Sequence, residues 1–242
     1  MDYVDMLAEK IKLHLDLRHP LSPEYYYGHL ACCVMDAVHS IGVRYEATRQ
    51  VPIRYCEAHS VRRLRPYGAG FPVQSDQERL STLVSRIEDI GHERFAIEVV
   101  KNRHRTSPVQ GILKTEAVLR FAKCLTSQGI ETFQDLARYR KDAGLEASIK
   151  AIPGQTSGIG WRYFWMLAGD EQEVKPDRMI LTFLNTFSNR VWQPDEAVEV
   201  VRQLCAHASL KEYELTPRRL DHAIWNWQRA PAQALSRQRL PA

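Results

Sequence analysis

The chain has no apolar run that reaches the ~20 residues a membrane-spanning helix needs, so no membrane partner is expected. It lacks a secretion pattern: Met1, Asp2, Tyr3, Val4 and Asp5 turn acidic at once, which predicts a cytoplasmic protein. Cysteine is sparse. The five, Cys32, Cys33, Cys56, Cys124 and Cys205, are an odd and scattered set with no Cys-x-x-Cys pair. That spacing argues against a zinc site or an iron–sulfur cluster, so neither a metal nor another cofactor is expected, and buried free thiols in a reducing compartment are the reading. There is no large surplus of either charge: 33 Lys and Arg against 29 Asp and Glu give a net +4, which permits nucleic acid as a partner without requiring it. There is no internal repeat, and no apolar–polar alternation of strand type.

What is present is helical periodicity over almost all of the 242 residues. Val4, Leu7, Ile11 and Leu15 recur at helix spacing and stop before Pro20. Ser22, Pro23 and Glu24 form a helix start, and 25–40 reads as one buried helix. Gly42 separates it from a helix over 43–56. Pro66, Gly68, Gly70 and Pro72 mark a loop, after which Ser75 to Glu78 reads as a capping box opening the next helix. Further helices are expected over 94–101 and around Val118, Phe121, Ala122 and Leu125. A short one is capped by Thr132 with Asp135 at its third position, and others cover 145–152, 161–168, 178–187, 194–207 and 217–229. The Pro-, Gln- and Arg-rich tail from Ala230 is expected to fray. The fold class is therefore all-α.

Two features carry functional chemistry. Arg62, Arg63 and Arg65 lie in one Gly/Pro-rich loop, and Lys101, Arg103, His104 and Arg105 in another, so two basic loops offer cations to a phosphate backbone; solvated surface loops explain each equally well alone. The second feature is the stretch Ile152, Pro153, Gly154, Gln155, Thr156, Ser157, Gly158, Ile159, Gly160, which opens a helix at Trp161. Glycines here allow close backbone approach, and successive N–H groups together with a helix N-terminus suit one phosphate. Past that helix, Pro176 precedes Asp177 at the start of the next one, where an aspartate by itself is an ordinary N-cap.

An apolar–Pro–Gly hairpin, a helix of about three turns and a loop ending in aspartate resemble the helix-hairpin-helix DNA glycosylases of the endonuclease III type. Lys114 to Leu136 resembles the helix and lead-in before that hairpin. The resemblance implies an all-α, two-lobed fold with a central DNA and base cleft. Its lobes are 21–152, which supplies wedge and pocket, and 1–20 with 178–242, joined by the hairpin and catalytic loop over 153–177. It implies Asp177 as the catalytic carboxylate. Gly154, Gln155, Thr156, Ser157, Gly158, Gly160 and Arg162 would grip the phosphate. Asp36, His39, Ser40, Ile41, Tyr45, Trp161 and Tyr163 would form the base pocket or wedge, with Ile41 as the wedge. Arg62, Arg63, Arg103 and Arg105 would form the basic rim, with Arg218 and Arg219 as further members. Most of the other aromatics, Trp227 in particular, read as packing.

The pattern also departs from the family. The hairpin carries extra residues, and the cysteines of the iron–sulfur members are missing from the C-terminal part. Arg162 stands where strand-cleaving members carry a Schiff-base lysine; arginine stays protonated, so base excision without strand cleavage is implied. The implied partner is double-stranded DNA with a damaged or modified base, bound by a monomer; modified cytosines of phage DNA are one substrate class left open. Two other readings stand beside it: a DNA-binding module that kept the hairpin without the chemistry, and a helical interaction protein whose Gly-rich turn only lets helices pack closely.

Overall fold

Apolar residues at helical spacing give twelve α-helices in the computed structural model, which describes residues 2–43, 45–140 and 142–229; the side chains of Tyr45 and Glu46 lie outside the described set, as does the tail from Ala230. In chain order they are α1 (Tyr3–His14), α2 (Leu30–His39), α3 (Tyr45–His59), α4 (Leu80–Ile90), α5 (His92–Arg94), α6 (Lys114–Thr126), α7 (Phe133–Leu136), α8 (Ala143–Lys150), α9 (Ile159–Leu167), α10 (Arg178–Ser188), α11 (Pro194–Ala206) and α12 (Pro217–Arg229). No strand forms among the described residues; Tyr27 with Leu64 and Arg105 with Leu113 make isolated antiparallel bridges. No helix among them is long and apolar enough to cross a membrane.

The chain divides into two units, residues 1–21 with 170–242 and residues 22–169. The stretch 153–177, read above as one segment, is split at Gly169: the hairpin and α9 belong to one unit, and the Asp177 loop to the other.

In the first unit α1, α10, α11 and α12 close around Leu7, Ile11, Phe183, Leu184, Val201, Leu204, Leu220 and Ile224. The α1 stripe of Leu7, Ala8 and Ile11 is fully buried, as a one-sided amphipathic helix requires. Trp227 packs on Phe183 and Phe187, each 5.5 Å between ring centres, and serves this core.

In the second unit α2 is buried along its whole length and packs against α3, α6 and α9. The helix expected over 25–40 is in fact broken. Pro23–Tyr25 forms one 3-10 turn, Tyr27 pairs with Leu64, and Gly28 presses on the backbone of the facing loop, its N–H donating to the Arg63 carbonyl at 2.8 Å. A Cβ on Gly28 would stand 3.1 Å from the Arg62 carbonyl oxygen, so tertiary pairing takes the segment out of the helix and leaves His29 as the N-cap position of α2.

The capping box expected at Ser75 does not form either. A 3-10 turn occupies Gln74–Asp76 and α4 begins at Leu80. Glu78, the glutamate of the expected box, turns inward instead, accepting from the Tyr55 hydroxyl at 2.6 Å and pairing with Arg86. The box at Thr132 does form, with Asp135 accepting from the Thr132 N–H at 2.9 Å.

The end of α2 has an internal cap. The Lys114 ammonium, on a residue only 2% exposed, donates to the carbonyls of His39 (2.8 Å) and Ile41 (2.6 Å). Those carbonyls would otherwise be orphaned at the helix terminus. Lys114→Met keeps the stem and removes the donors, and the expected cost is about 1–3 kcal/mol. A urea titration should show a lower midpoint at unchanged slope; an unmoved midpoint would mean that the carbonyls find other partners.

Candidate nucleic-acid interface

The reversal between α8 and α9 depends on two residues in the left-handed region, Gly154 (φ +86°) and Gly158 (φ +72°), where a side chain would be strained. Two backbone bonds close it: Gln155 N–H to the Ile152 carbonyl and Gly158 N–H to the Gln155 carbonyl, both 2.9 Å. Thr156 and Ser157 stand exposed at its tip, and Ile159 N–H reaches the Ser157 hydroxyl at 3.4 Å. Gly158 is the N-cap of α9, whose first-turn amides have no intrahelical acceptors. Arg162, half-buried, lies one turn further on. Gln155 is turned away from this surface. It is 1% exposed, its N–H is committed to the turn, and its side chain lies so close to Gly160 that a Cβ there would collide with the amide oxygen. Gly160 therefore serves helix–turn packing, and Gln155 leaves the phosphate-gripping set.

The hairpin is locked to the second basic loop. A Cβ built on Gly154 would stand 2.5 Å from Cβ of Thr106, so the missing side chain is what lets the two segments meet. Thr106 N–H donates to the Ile112 carbonyl and Lys114 N–H to the His104 carbonyl, each 2.9 Å, which holds the loop in a fixed shape. Arg103 and Arg105 are exposed there and, with Glu93, Ile97 and Leu113, line a hollow of about 150 Å³. Arg105 is braced by the Gly111 carbonyl at 2.7 Å.

The first basic loop reaches the other end of α9. Phe71 packs under Gly169, Arg65 stacks over Phe71 at 4.4 Å, and Arg65 itself is buried. At 1.5 Å per residue that end lies about 13 Å from the hairpin. Arg62 is exposed and Arg63 half-buried on this loop, so the two basic loops flank α9 at opposite ends instead of sharing one rim at the hairpin. Arg218 and Arg219 are not rim residues: Arg218 is 3% exposed and pairs with Glu171 at 2.8 Å, and Arg219 donates to the carbonyls of Tyr213, Glu214 and Leu17.

The pocket candidates come together only in part. Asp36, fully buried on α2, accepts from the hydroxyls of Tyr27 (2.8 Å), Ser40 (2.6 Å) and Tyr163 (3.5 Å), which ties α2 to α9. This is a hydrogen-bonded knot in the interior, as a buried carboxylate demands. His39 is 1% exposed, its Nδ1 bonded to the Met35 carbonyl at 2.9 Å, and burial pushes its pKa down to about 3. Trp161 is buried in an aromatic group with Phe121, Phe164 and Trp165, and so is a core residue with no free face for a base. Ile41 is half-exposed at the end of α2, and Tyr45 opens α3 with its side chain outside the described set.

In the other unit Asp177 caps α10. Its Oδ1 accepts from Met179 N–H at 2.8 Å, and its Oδ2 lies 3.5 Å from the Lys175 ammonium. The side chain is 26% exposed, which keeps the carboxylate reachable from solvent.

A domain-family model, described as "Domain of unknown function (DUF8548)", matches residues 5–229. The chain belongs to this family. No curated protein and no solved structure matches the chain.

Two groupings in this DUF8548 chain escaped the sequence reading. His29, Cys32 and Cys56 converge in the second unit. In the first, Asp221 of α12 accepts from Lys175 N–H at 2.8 Å beside Asp177. Burial, and then the Asp177 charge, raise the Asp221 pKa to about 8, against the opposing pull of Lys175 and Arg218. Each grouping depends on a partner far away in sequence, Cys56 lying 24 residues from Cys32 and Asp221 46 from Lys175, so the short His29–Cys32 spacing alone gave no signal.

A raised carboxyl pKa has a definite sign for stability. Folded Asp221 keeps its proton up to about pH 8, whereas the unfolded residue loses it near the ordinary carboxylate value of 3.8. Its contribution is therefore complete below about pH 4 and lost as pH rises toward 8. Asp221→Asn mimics the protonated form, so its melting temperature should gain on the wild type as pH rises from about 5 to about 8 and level off above that. Parallel melting curves across that range would contradict the buried, protonated state.

Proposed function

We propose that this protein is a monomeric helix-hairpin-helix DNA glycosylase that binds double-stranded DNA and removes a modified base without cutting the strand. The observation that carries the reading is the Gly154–Thr106 contact, which sets a glycine-rich helix start beside the Arg103 and Arg105 loop. A helix N-terminus with exposed Thr156 and Ser157, next to paired cations, suits a backbone phosphate and reads no sequence. The half-buried Arg162 on α9, in place of an amine nucleophile, fits base excision alone.

A base in a duplex is out of reach until the nucleotide swings out, at a cost of about a few kcal/mol. Breaking the N-glycosidic bond then builds positive charge on the sugar, which a carboxylate stabilises while it orients the attacking water. Asp177 is the carboxylate assigned to this step, since it combines solvent access with a fixed orientation from the Met179 N–H and Lys175. A modified cytosine is the substrate class to test first, because the extended hairpin departs from the pattern of the repair enzymes. A non-catalytic DNA-binding role is the second reading. It is favoured by the same contacts at Asp177, which also satisfy an ordinary helix cap.

Two measurements separate these readings. Fluorescence anisotropy with a duplex should give an affinity that falls with salt, and the Arg103→Ala, Arg105→Ala double variant should lower the log–log slope by about 2. A salt-independent or absent affinity would leave the helical interaction role in place of both DNA readings. Incubation with duplexes carrying damaged bases or modified cytosines should release free base and leave alkali-labile sites. Asp177→Asn should bind with unchanged affinity and lose at least ~100-fold in excision. Full activity in that variant removes Asp177 from the chemistry, and tight binding with no base release from any duplex establishes the non-catalytic role.

A further inference from the structure

The geometry points to a metal site in the second unit: His29, Cys32 and Cys56 hold one soft divalent cation, of the zinc class, that fastens the first turn of α2 to the last turn of α3. His29 Nε2 lies 3.5 Å from Cys32 Sγ and 3.8 Å from Cys56 Sγ, and the two sulfurs are 3.5 Å apart. Zinc binds thiolate at about 2.3 Å and imidazole at about 2.0–2.1 Å in tetrahedral geometry, which puts donor atoms about 3.5–3.8 Å from one another. The three edges of the triangle have those lengths. The sulfurs are too far apart for a disulfide, whose S–S bond is about 2.05 Å, and both cysteines are free.

The surroundings repeat the pattern of a ligating histidine. His29 points Nε2 at the sulfurs and Nδ1 at Glu78 Oε2, 3.7 Å away, and Nδ1 has no hydrogen-bond partner. Metal-bound histidines commonly direct the second ring nitrogen at a carboxylate, which fixes the tautomer and strengthens the ligand. Glu78 is held for that task by the Tyr55 hydroxyl and Arg86. The charges also close. Two thiolates and Glu78 carry −3, and a divalent ion with Arg86 carries +3, around a neutral imidazole. Uncompensated charge would be costly here, since His29, Cys32 and Cys56 are 1%, 0% and 5% exposed. Local structure presents the donors on one face: His29 is the N-cap of α2, Cys32 follows within one turn, and Cys56 lies in the last turn of α3. Three protein ligands leave the fourth tetrahedral corner to a water.

The test uses the full-length chain, expressed in zinc-supplemented medium and purified without a polyhistidine tag or metal column. Elemental analysis after gel filtration should find about one zinc per chain. Cys32→Ser and Cys56→Ser should each lower that content at least tenfold, while Cys124→Ser and Cys205→Ser remain loaded. Because the first two variants can fail to fold, the wild-type protein is also stripped by a chelator and titrated with Co²⁺ alone. Thiolate-to-cobalt charge transfer in the near ultraviolet and the visible bands of a tetrahedral ion should rise to one equivalent. Glu78→Gln should weaken zinc by about 10–100-fold in a chelator competition, as loss of an outer-shell partner does. A folded wild-type chain that carries no metal and shows no charge transfer with Co²⁺ overturns the site, as does a Cys32–Cys56 disulfide in the protein as isolated.

Discussion

The absence of a side chain at Gly154 is the constraint on which the candidate interface rests. Thr106 occupies the space that a Cβ would need, and its loop carries Arg103 and Arg105 to the foot of α9. Gly160 works in the same way on the inner side, where the Gln155 side chain lies against bare backbone. The hairpin is thus held from outside by the Thr106 loop and braced from within by Gln155, both at distances a substituted residue would not allow. A phosphate site made from backbone amides needs this rigidity, because amides cannot reorient as side chains do once the turn is fixed.

Around that clamp, the second unit is organised by polar groups inside an apolar helical core. Lys114 terminates α2, Asp36 joins α2 to Tyr27 and Tyr163, and Glu78 gathers Tyr55, Arg86 and His29. Each of these buried groups has partners from distant parts of the chain, so each selects one arrangement of helices over others that would bury the same apolar area. The first unit is simpler, an apolar four-helix cluster whose buried ionisable groups include Arg218 and the protonated Asp221, the latter beside the more exposed Asp177.

The all-helical architecture was legible because it rests on periodicity, as in Val4, Leu7 and Ile11 or Val118, Phe121 and Leu125, and on local chemistry such as Thr132 with Asp135. The two left-handed glycines of the hairpin and the capping position of Asp177 could be read for the same reason. The elements depart from local preference where a distant partner outweighs it. Glu78 left its capping box for Tyr55 and Arg86, and the start of α2 gave way to the pairing of Tyr27 with Leu64. Trp161, expected in the base pocket or wedge, and Gln155, expected in the phosphate grip, both face inward. Position relative to the far side of a helix is tertiary information, and residue spacing does not contain it.

The acid on α12 has a thermodynamic corollary. At neutral pH the native chain retains a proton on Asp221 that its unfolded form has released. Folding is therefore a proton-uptake reaction at this residue, and the buffer must supply the proton. The heat of unfolding seen by calorimetry near pH 7 then contains the ionisation enthalpy of whichever buffer is present, so phosphate and Tris solutions report different apparent enthalpies for one and the same conformational change.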